Sequence, residues 1–302
     1  MDTLNPASVV SDAQVAEYRE KGFIVVEDIF SADDLKQMHD ALNGLIADAR
    51  DLTEHTNVID LEPSHTPESP RVRRIKEPFL NHPVFNEMAK RPKLVAALTA
   101  LIGPNLRMHG SKINLKSAEY GSPVEWHQDW AFYPHTNDDV LAVGVMLDDM
   151  TDDNGPLLCI PGSHTGPTYD HHQDGHFVGA IDPVTSGIDF DTAEKITGKA
   201  GSCSFHHVRM MHGSGQNTSG KDRRLLLFQV AAADAWDIRG MDRIGSWDQY
   251  KKTMIAGEPT NEPRVVVTPI RLPYPEPLKK GSIYESQTLV KNKYFGSKPA
   301  AE

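Results

Sequence analysis

Val124-Glu-Trp-His-Gln-Asp-Trp130 is the stretch whose reading decides the fold. Its pattern is that of a strand, in which side chains alternate between faces. His127 and Asp129, two residues apart, therefore project from the same side of the chain. One imidazole and one carboxylate held side by side are two of the three ligands of a facial metal site. A second histidine from elsewhere completes the two-His-one-carboxylate set, which covers one face of an octahedral ion and leaves the other open.

Spacing alone does not select the site, because His172-Gln-Asp174 repeats it. That second pair sits among Tyr169, Asp170, His171 and Gly175, with no apolar alternation and no preceding tryptophan. A loop does not hold two ligands rigidly, so His127 and Asp129 are preferred. His206, His207 and His212 are candidates for the third ligand. His206 and His207 point opposite ways on a strand expected over residues 202–209. His212 ends that run and precedes the glycine-rich turn Gly213-Ser-Gly-Gln-Asn217, a position suited to a barrel mouth, and is preferred.

Arg223 follows a turn over residues 216–222 that is expected to fold the flanking strands into an antiparallel pair, bringing Arg223 near the metal. A planar guanidinium grips a carboxylate in bidentate fashion. Arg224 should face the other way. Taken alone, either arginine reads better as a surface ion pair of little energetic weight.

Outward from this centre, the chain divides by pattern. Ser11 to Gln14 has capping-box form, and Gly22 closes the helix that follows. Phe23-Ile-Val-Val26 reads as a strand. Leu35, Met38, Leu42, Leu45 and Ile46 form the apolar stripe of a second helix, and Leu94, Ala97, Leu98, Leu101 and Ile102 that of another. Residues 51–80 are polar and rich in proline, with Arg71, Arg73, Arg74 and Lys76 as a basic run, either a solvated strand edge or a segment meeting an anion. From residue 107 onward strands dominate. Ile113 and Leu115 face one way, and Lys112, Asn114 and Lys116 the other. Residues 140–147 form a central strand, and residues 156–160, 225–231 and 264–272 add further strands. Residues 165–198 form a long Gly/Asp/His-rich excursion with the character of a lid.

The expected class is α+β, mainly β: a double-stranded β-helix, or jelly-roll, core with flanking N-terminal helices. One domain spans 1–302, with helical support over about 1–105, the core over about 106–272 and a peripheral tail over about 273–302.

Composition narrows the function classes. A net charge of -11 argues against nucleic acid and anionic membranes as partners, leaving a small-molecule substrate. Two cysteines without paired spacing exclude a disulfide framework and a zinc ribbon. No signal peptide, lipidation motif or long apolar run is visible, so a cytoplasmic setting is expected. Oligomeric state is not written in the sequence.

Gly22-Phe-Ile-Val-Val26, Lys112-Ile-Asn-Leu-Lys116, Trp126-His-Gln-Asp129, Asn154-Gly-Pro-Leu157, Pro161-Gly-Ser-His164 and Met211-His-Gly-Ser214 with Asn217 and Arg223 resemble, in combination and order, the phytanoyl-CoA dioxygenase family of Fe(II)/2-oxoglutarate oxygenases. The resemblance spans roughly residues 12–235. It implies iron on His127, Asp129 and His212, with 2-oxoglutarate and O2 as co-substrates. It implies that Arg223 binds the distal carboxylate of 2-oxoglutarate, that Ser214 and Asn114 hydrogen-bond it, and that Lys116 matches a recurrent lysine. Asp129 fills the position where related halogenases carry a small residue, so the resemblance is to the hydroxylating branch. The implied reaction is hydroxylation of a C–H bond of a small organic metabolite, with succinate and CO2 released. Desaturation, epoxidation and rearrangement use the same site. A zinc hydrolase would leave Arg223, Ser214 and Asn114 without a role, and a non-catalytic cupin-like binder would be signalled by a missing ligand or arginine, none of which is missing. Trp130, Phe132 and Tyr133 are candidates for the substrate wall, with core packing as the alternative.

Overall fold

The computed structural model describes residues 4–240, 244–279 and 281–296. The segments read for targeting signals at the extreme ends, 1–3 and 297–302, lie outside the described residues.

The chain opens with helix α1 (Asp12–Lys21), whose capping box joins Ser11 and Gln14 and whose C-cap is Gly22 at φ 85°. Strand β1 (Phe23–Val26) follows, then α2 (Ala32–Asp48), started by a second capping box between Ser31 and Asp34. Next come β2 (Ile59–Leu61), β3 (Val72–Lys76), the short helices α3 (Pro78–Asn81) and α4 (Pro83–Met88), and α5 (Pro92–Ile102). Pro92 opens α5 and Gly103 stops it.

The strands then dominate: β4 (Leu106–Lys116), β5 (Val124–Gln128), β6 (Val140–Met146), β7 (Leu157–Cys159), β8 (His172–Gln173), β9 (His176–Phe177), β10 (Glu194–Ile196), β11 (Cys203–His207), β12 (Met211–Ser214) and β13 (Arg223–Ala232). Helix α6 (Trp247–Lys252), strand β14 (Met254–Ala256) and helix α7 (Ile283–Ser286) complete the elements.

Two sheets face each other as a jelly roll. The larger runs β1-β11-β6-β13-β4-β3-β2, with β14 also on β4; the smaller runs β10-β7-β12-β5. Every residue of β6 is buried, because β6 lies between β11 and β13 with helices on one side and the smaller sheet on the other. Met38 and Leu42 of α2 and Leu94, Ala97 and Leu98 of α5 belong to the cluster that covers the outer face of the larger sheet. Each fully buried leucine or methionine contributes about 1.5–3 kcal/mol.

Four expectations need correction. Residues 1–105 are not only helical support, since β1, β2 and β3 join the larger sheet. Residues 264–272 form no strand: Val265 and Val267 are exposed, and Pro263, Pro269, Pro273 and Pro275 withhold backbone donors that a ladder would need. His172 of the second pair stands on the two-residue strand β8, bonded to Asp170 Oδ1 at 2.9 Å, while Asp174 lies in the turn after it at φ 51°. The C-terminal tail is not peripheral over residues 281–296. Gln287 accepts from the Glu125 N–H at 2.9 Å and donates to Gly179 O at 2.8 Å, and Phe295 lies against Trp126 with ring centroids 5.4 Å apart.

Candidate metal centre

Register assembles the ligand set. Strand β12 lies between β5 and β7, and His212 pairs directly with His127 across the β12–β5 ladder. Their ring centroids are 4.1 Å apart. Strand β5 ends at Gln128, so Asp129 is not a strand residue; it starts a 3-10 turn over Asp129–Ala131 and still points back to the histidines. One ligating atom from each of His127, Asp129 and His212 lies within 4.8 Å of the others, and all three residues are buried.

The histidine tautomers are fixed by their neighbours. His127 Nδ1 lies 2.8 Å from Glu125 O and His212 Nδ1 lies 2.9 Å from Met210 O. A carbonyl only accepts, so both Nδ1 atoms carry the proton and both Nε2 lone pairs face the centre, the arrangement seen in metal-binding histidines. Burial pushes His127 down to about 4 and His212 well below the ordinary histidine range, so both stay neutral. Burial pushes Asp129 up, but His206, His212, Lys112 and His127 facing it prevail, and its carboxyl is held well below the usual range. Two neutral imidazoles and one carboxylate, sheltered from water, fit a divalent transition metal such as iron.

His206 and His207 do separate as alternation requires. His206 lines the cavity, with Nε2 3.9 Å from Asp129 Oδ2, and neither of its ring nitrogens has a hydrogen bond among the described residues. His207 lies near Asp138 instead.

The cavity before the triad has a volume of about 50 Å³. Its opposite wall is the larger sheet. Lys112, Asn114 and Lys116 alternate inward from β4, and Arg223, Leu225, Leu227 and Gln229 from β13. Register pairs Arg223 with Lys116, Leu225 with Asn114 and Leu227 with Lys112. The expected hairpin between His212 and Arg223 is therefore absent. Strands β12 and β13 belong to different sheets, and Arg223 reaches the site from across the barrel.

Arg223 is buried. Its Nη2 donates to Gly155 O at 2.7 Å, and its Nε has no partner among the described residues. Gly155 stands at φ 74°, and an added Cβ would lie 2.8 Å from Gly215 O, so glycine is required there. Burial lowers Arg223 to about 10, which leaves it charged at neutral pH. Lys116 Nζ donates to Ser214 Oγ at 2.9 Å and to Gly215 O. Asn114 Oδ1 is buried without a partner among the described residues. Unpartnered buried polar atoms are rare, and a group of them around one cavity marks a place for a polar ligand.

Trp130, Phe132 and Tyr133 are not among the residues lining the cavity, although Phe132 packs on His127 and the Tyr133 hydroxyl faces Asp129. Trp130 is fully buried and its Nε1 donates to Pro269 O at 2.9 Å. Phe132 packs edge-on to His127 at 5.8 Å and to Phe177 at 5.0 Å. Tyr133 Oη accepts from Gln229 Nε2 at 2.7 Å and so reaches the cavity through Gln229. Of the basic run, Arg73 pairs with Glu285, while Arg74 and Lys76 each lie 2.9 Å from Asp60. Ile283 and Tyr284 of α7 close the cavity at the Arg223 end, a contribution that no local pattern around residue 284 announces.

A sequence model of the phytanoyl-CoA dioxygenase (PhyH) family matches residues 18–225. The "Probable alpha-ketoglutarate-dependent hypophosphite dioxygenase" of Stutzerimonas stutzeri is 37% identical over 286 residues, covering 93% of this chain and 99% of that protein. An ectoine dioxygenase of Sphingopyxis alaskensis is 30% identical over 69% of this chain and 71% of its own length. Among solved structures, EctD from S. alaskensis with bound Fe matches at a TM-score of 0.65 and 26% identity, covering 89% of this chain and 88% of that one. The form with 2-oxoglutarate and 5-hydroxyectoine matches at 0.64, with 26% identity and 89% of each chain covered. Jelly-roll core, buried triad and family match agree: the chain belongs to the phytanoyl-CoA dioxygenase family. It is an iron- and 2-oxoglutarate-dependent dioxygenase that uses O2.

Proposed function

We propose that His127, Asp129 and His212 hold the iron, that Arg223, Ser214, Asn114 and Lys116 bind 2-oxoglutarate, and that the enzyme hydroxylates a compact small molecule. The observation that carries this reading is the tautomer-fixed buried triad facing a cavity with unspent donors of Arg223 at one end. When bound, iron and 2-oxoglutarate together supply the oxidation of an unreactive bond by O2, with succinate and CO2 released.

The chain's own part is placement. Glu125 O and Met210 O lock the imidazoles, and His206 faces the outer oxygen of Asp129. Arg223 meets the distal carboxylate of the co-substrate with donors that Gly155 does not use. Ser214, oriented by Lys116, and Asn114 flank its path from that end toward the triad. Buried walls on both sheets exclude water from the reacting bond.

The acidic charge of the chain and its likeness to a dioxygenase acting on a small anion support a compact substrate over a bulky thioester. A C–H bond of a small organic metabolite is one target. The near full-length likeness to the hypophosphite dioxygenase supports a second, the P–H bond of a phosphorus oxyanion. The free, buried state of Cys159 and Cys203 supports a cytoplasmic setting, and no described helix is long and apolar enough to cross a membrane.

Turnover under isotopically labelled O2 tests the reaction type. Hydroxylation puts one labelled oxygen in succinate and one in the product. Label in succinate alone, with a product two hydrogens lighter, would replace hydroxylation with desaturation.

A further inference from the structure

Lys112 is the cation that the iron and co-substrate chemistry leaves unused. It stands on the inward face of β4 with Asn114 and Lys116, and lines the cavity. Lys116 is engaged by Ser214 and Gly215, and Arg223 by Gly155. The Lys112 ammonium donates no hydrogen bond and enters no ion pair among the described residues. Burial and the nearby Arg74 lower its pKa, while Asp129 and Glu77 oppose that shift.

The charges around Lys112 do not cancel it. Arg74 and Lys76, paired in register with Asn114 and Lys112 on the neighbouring strand β3, share Asp60 between them. The Glu77 carboxylate accepts from the Ser111 N–H at 3.0 Å and from Ser111 Oγ. Asp129 is committed to the metal under the reading above. Arg223 and the iron together already match the charges of Asp129 and 2-oxoglutarate, and burial beside Arg223 pushes Lys116 well below the ordinary lysine range. An uncompensated positive charge therefore remains at the Lys112 end. A cation on a low-dielectric wall without a counter-charge is costly unless a ligand supplies one.

Position fixes which ligand this is. Lys112 and Lys116 are four residues apart on an extended strand, about 13 Å. Lys112 thus lies at the end of the cavity away from Arg223, beside Asp129 and near Gln229. Gln229 donates to Tyr133 Oη at 2.7 Å, and its Oε1 would lie 2.7 Å from a Cβ added at Gly110. Gly110 thereby leaves room for the amide to lie flat against β4. Resting on the dioxygenase reading above, we infer that Lys112 anchors the anionic head of the substrate, a phosphorus oxyanion carrying the P–H or a neighbouring C–H bond to be oxidised. Gln229 forms the polar wall beside it.

The test is anaerobic calorimetry on the full chain loaded with Fe(II) and 2-oxoglutarate. Hypophosphite and methylphosphonate serve as two separate probes, a bare P–H anion and one with carbon next to phosphorus. Wild type is expected to bind at least one of them. K112M should weaken that binding by about 10–100-fold, the scale of one lost charge-assisted hydrogen bond. K112R should retain most of it, and K112Q should behave as K112M, so that the conclusion does not rest on one variant's folding. The iron-to-keto-acid absorption band should form in all four proteins. Binding of neither anion by wild type, or equal binding by the K112M and wild-type proteins, overturns the inference while that band is present. Absence of the band in wild type would instead overturn the dioxygenase reading itself.

Discussion

The two sheets close on one cavity but bring different chemistry to it. The smaller sheet offers the proposed ligands: His127 from β5, His212 from β12, and Asp129 from the turn that ends β5. The larger sheet offers charge and shape: Lys112, Asn114 and Lys116 on β4, Arg223 and Gln229 on β13. Their supports differ as well. Helices α2 and α5 back the larger sheet with a continuous apolar cluster. Trp126 of the smaller sheet is instead covered by Phe190, Tyr294 and Phe295, from an irregular excursion and the C-terminal tail. The candidate ligands therefore project inward from the sheet whose outer face is covered by loops, and the candidate anion-binding row projects inward from the sheet whose outer face is braced by helices. Loop-covered faces vary most easily, and rigid ones hold geometry best.

This division can be broken sheet by sheet. Replacing a ligand on the smaller sheet should be the severest change: D129A is expected to lose turnover by at least about a hundredfold, together with iron affinity. Metal analysis and succinate release check it.

Acid strikes buried histidines outside the proposed ligand set. His135, His171 and His207 are each pushed by burial down to about 3. Below the ordinary histidine value near 6.5 the unfolded chain takes up protons that the folded chain refuses, so stability falls as pH falls from there toward 3. Each histidine contributes up to about 1.4 kcal/mol per pH unit. Urea titrations at pH 7 and pH 5 should show the loss; equal midpoints would contradict it.

On the larger sheet, R223A is expected to raise the 2-oxoglutarate requirement by about 10–1000-fold with iron affinity retained, and R223K to recover part of it. An unchanged requirement would detach Arg223 from the co-substrate. The smallest effect is expected in the cover of the smaller sheet. Q287A removes two buried hydrogen bonds, at about 1–3 kcal/mol, and should lower Tm by a few degrees while iron binding persists. A loss of iron binding there would show that the tail does more than cover the sheet.

Legibility in the sequence followed the range of the interaction. Lys112, Asn114 and Lys116 were placed on one face because alternation along one strand is local; His127 followed the same rule, whereas Asp129 comes to its side from the turn after β5 and not from the strand. Arg223 was expected near the triad through a hairpin, whereas it arrives from the facing sheet; a turn sequence says nothing about which sheet the next strand joins. Residues 264–272 carry the β-branched pattern of a strand yet find no partner, since that preference expresses packing more than backbone choice. The tail was unreadable because its contacts, from Gln287 to Glu125 and from Phe295 to Trp126, join residues more than a hundred positions apart and leave no period behind.

Anaerobic titration of the metal-free protein with Fe(II), then with 2-oxoglutarate, tests the joining of the two sheets most directly. The visible iron-to-keto-acid charge-transfer band is expected to appear in wild type, to vanish in H212A, and to need far more 2-oxoglutarate in R223A. Iron binding by wild type without the band would contradict the account, since a co-substrate held across the cavity by Arg223 must chelate the metal held by His127, Asp129 and His212.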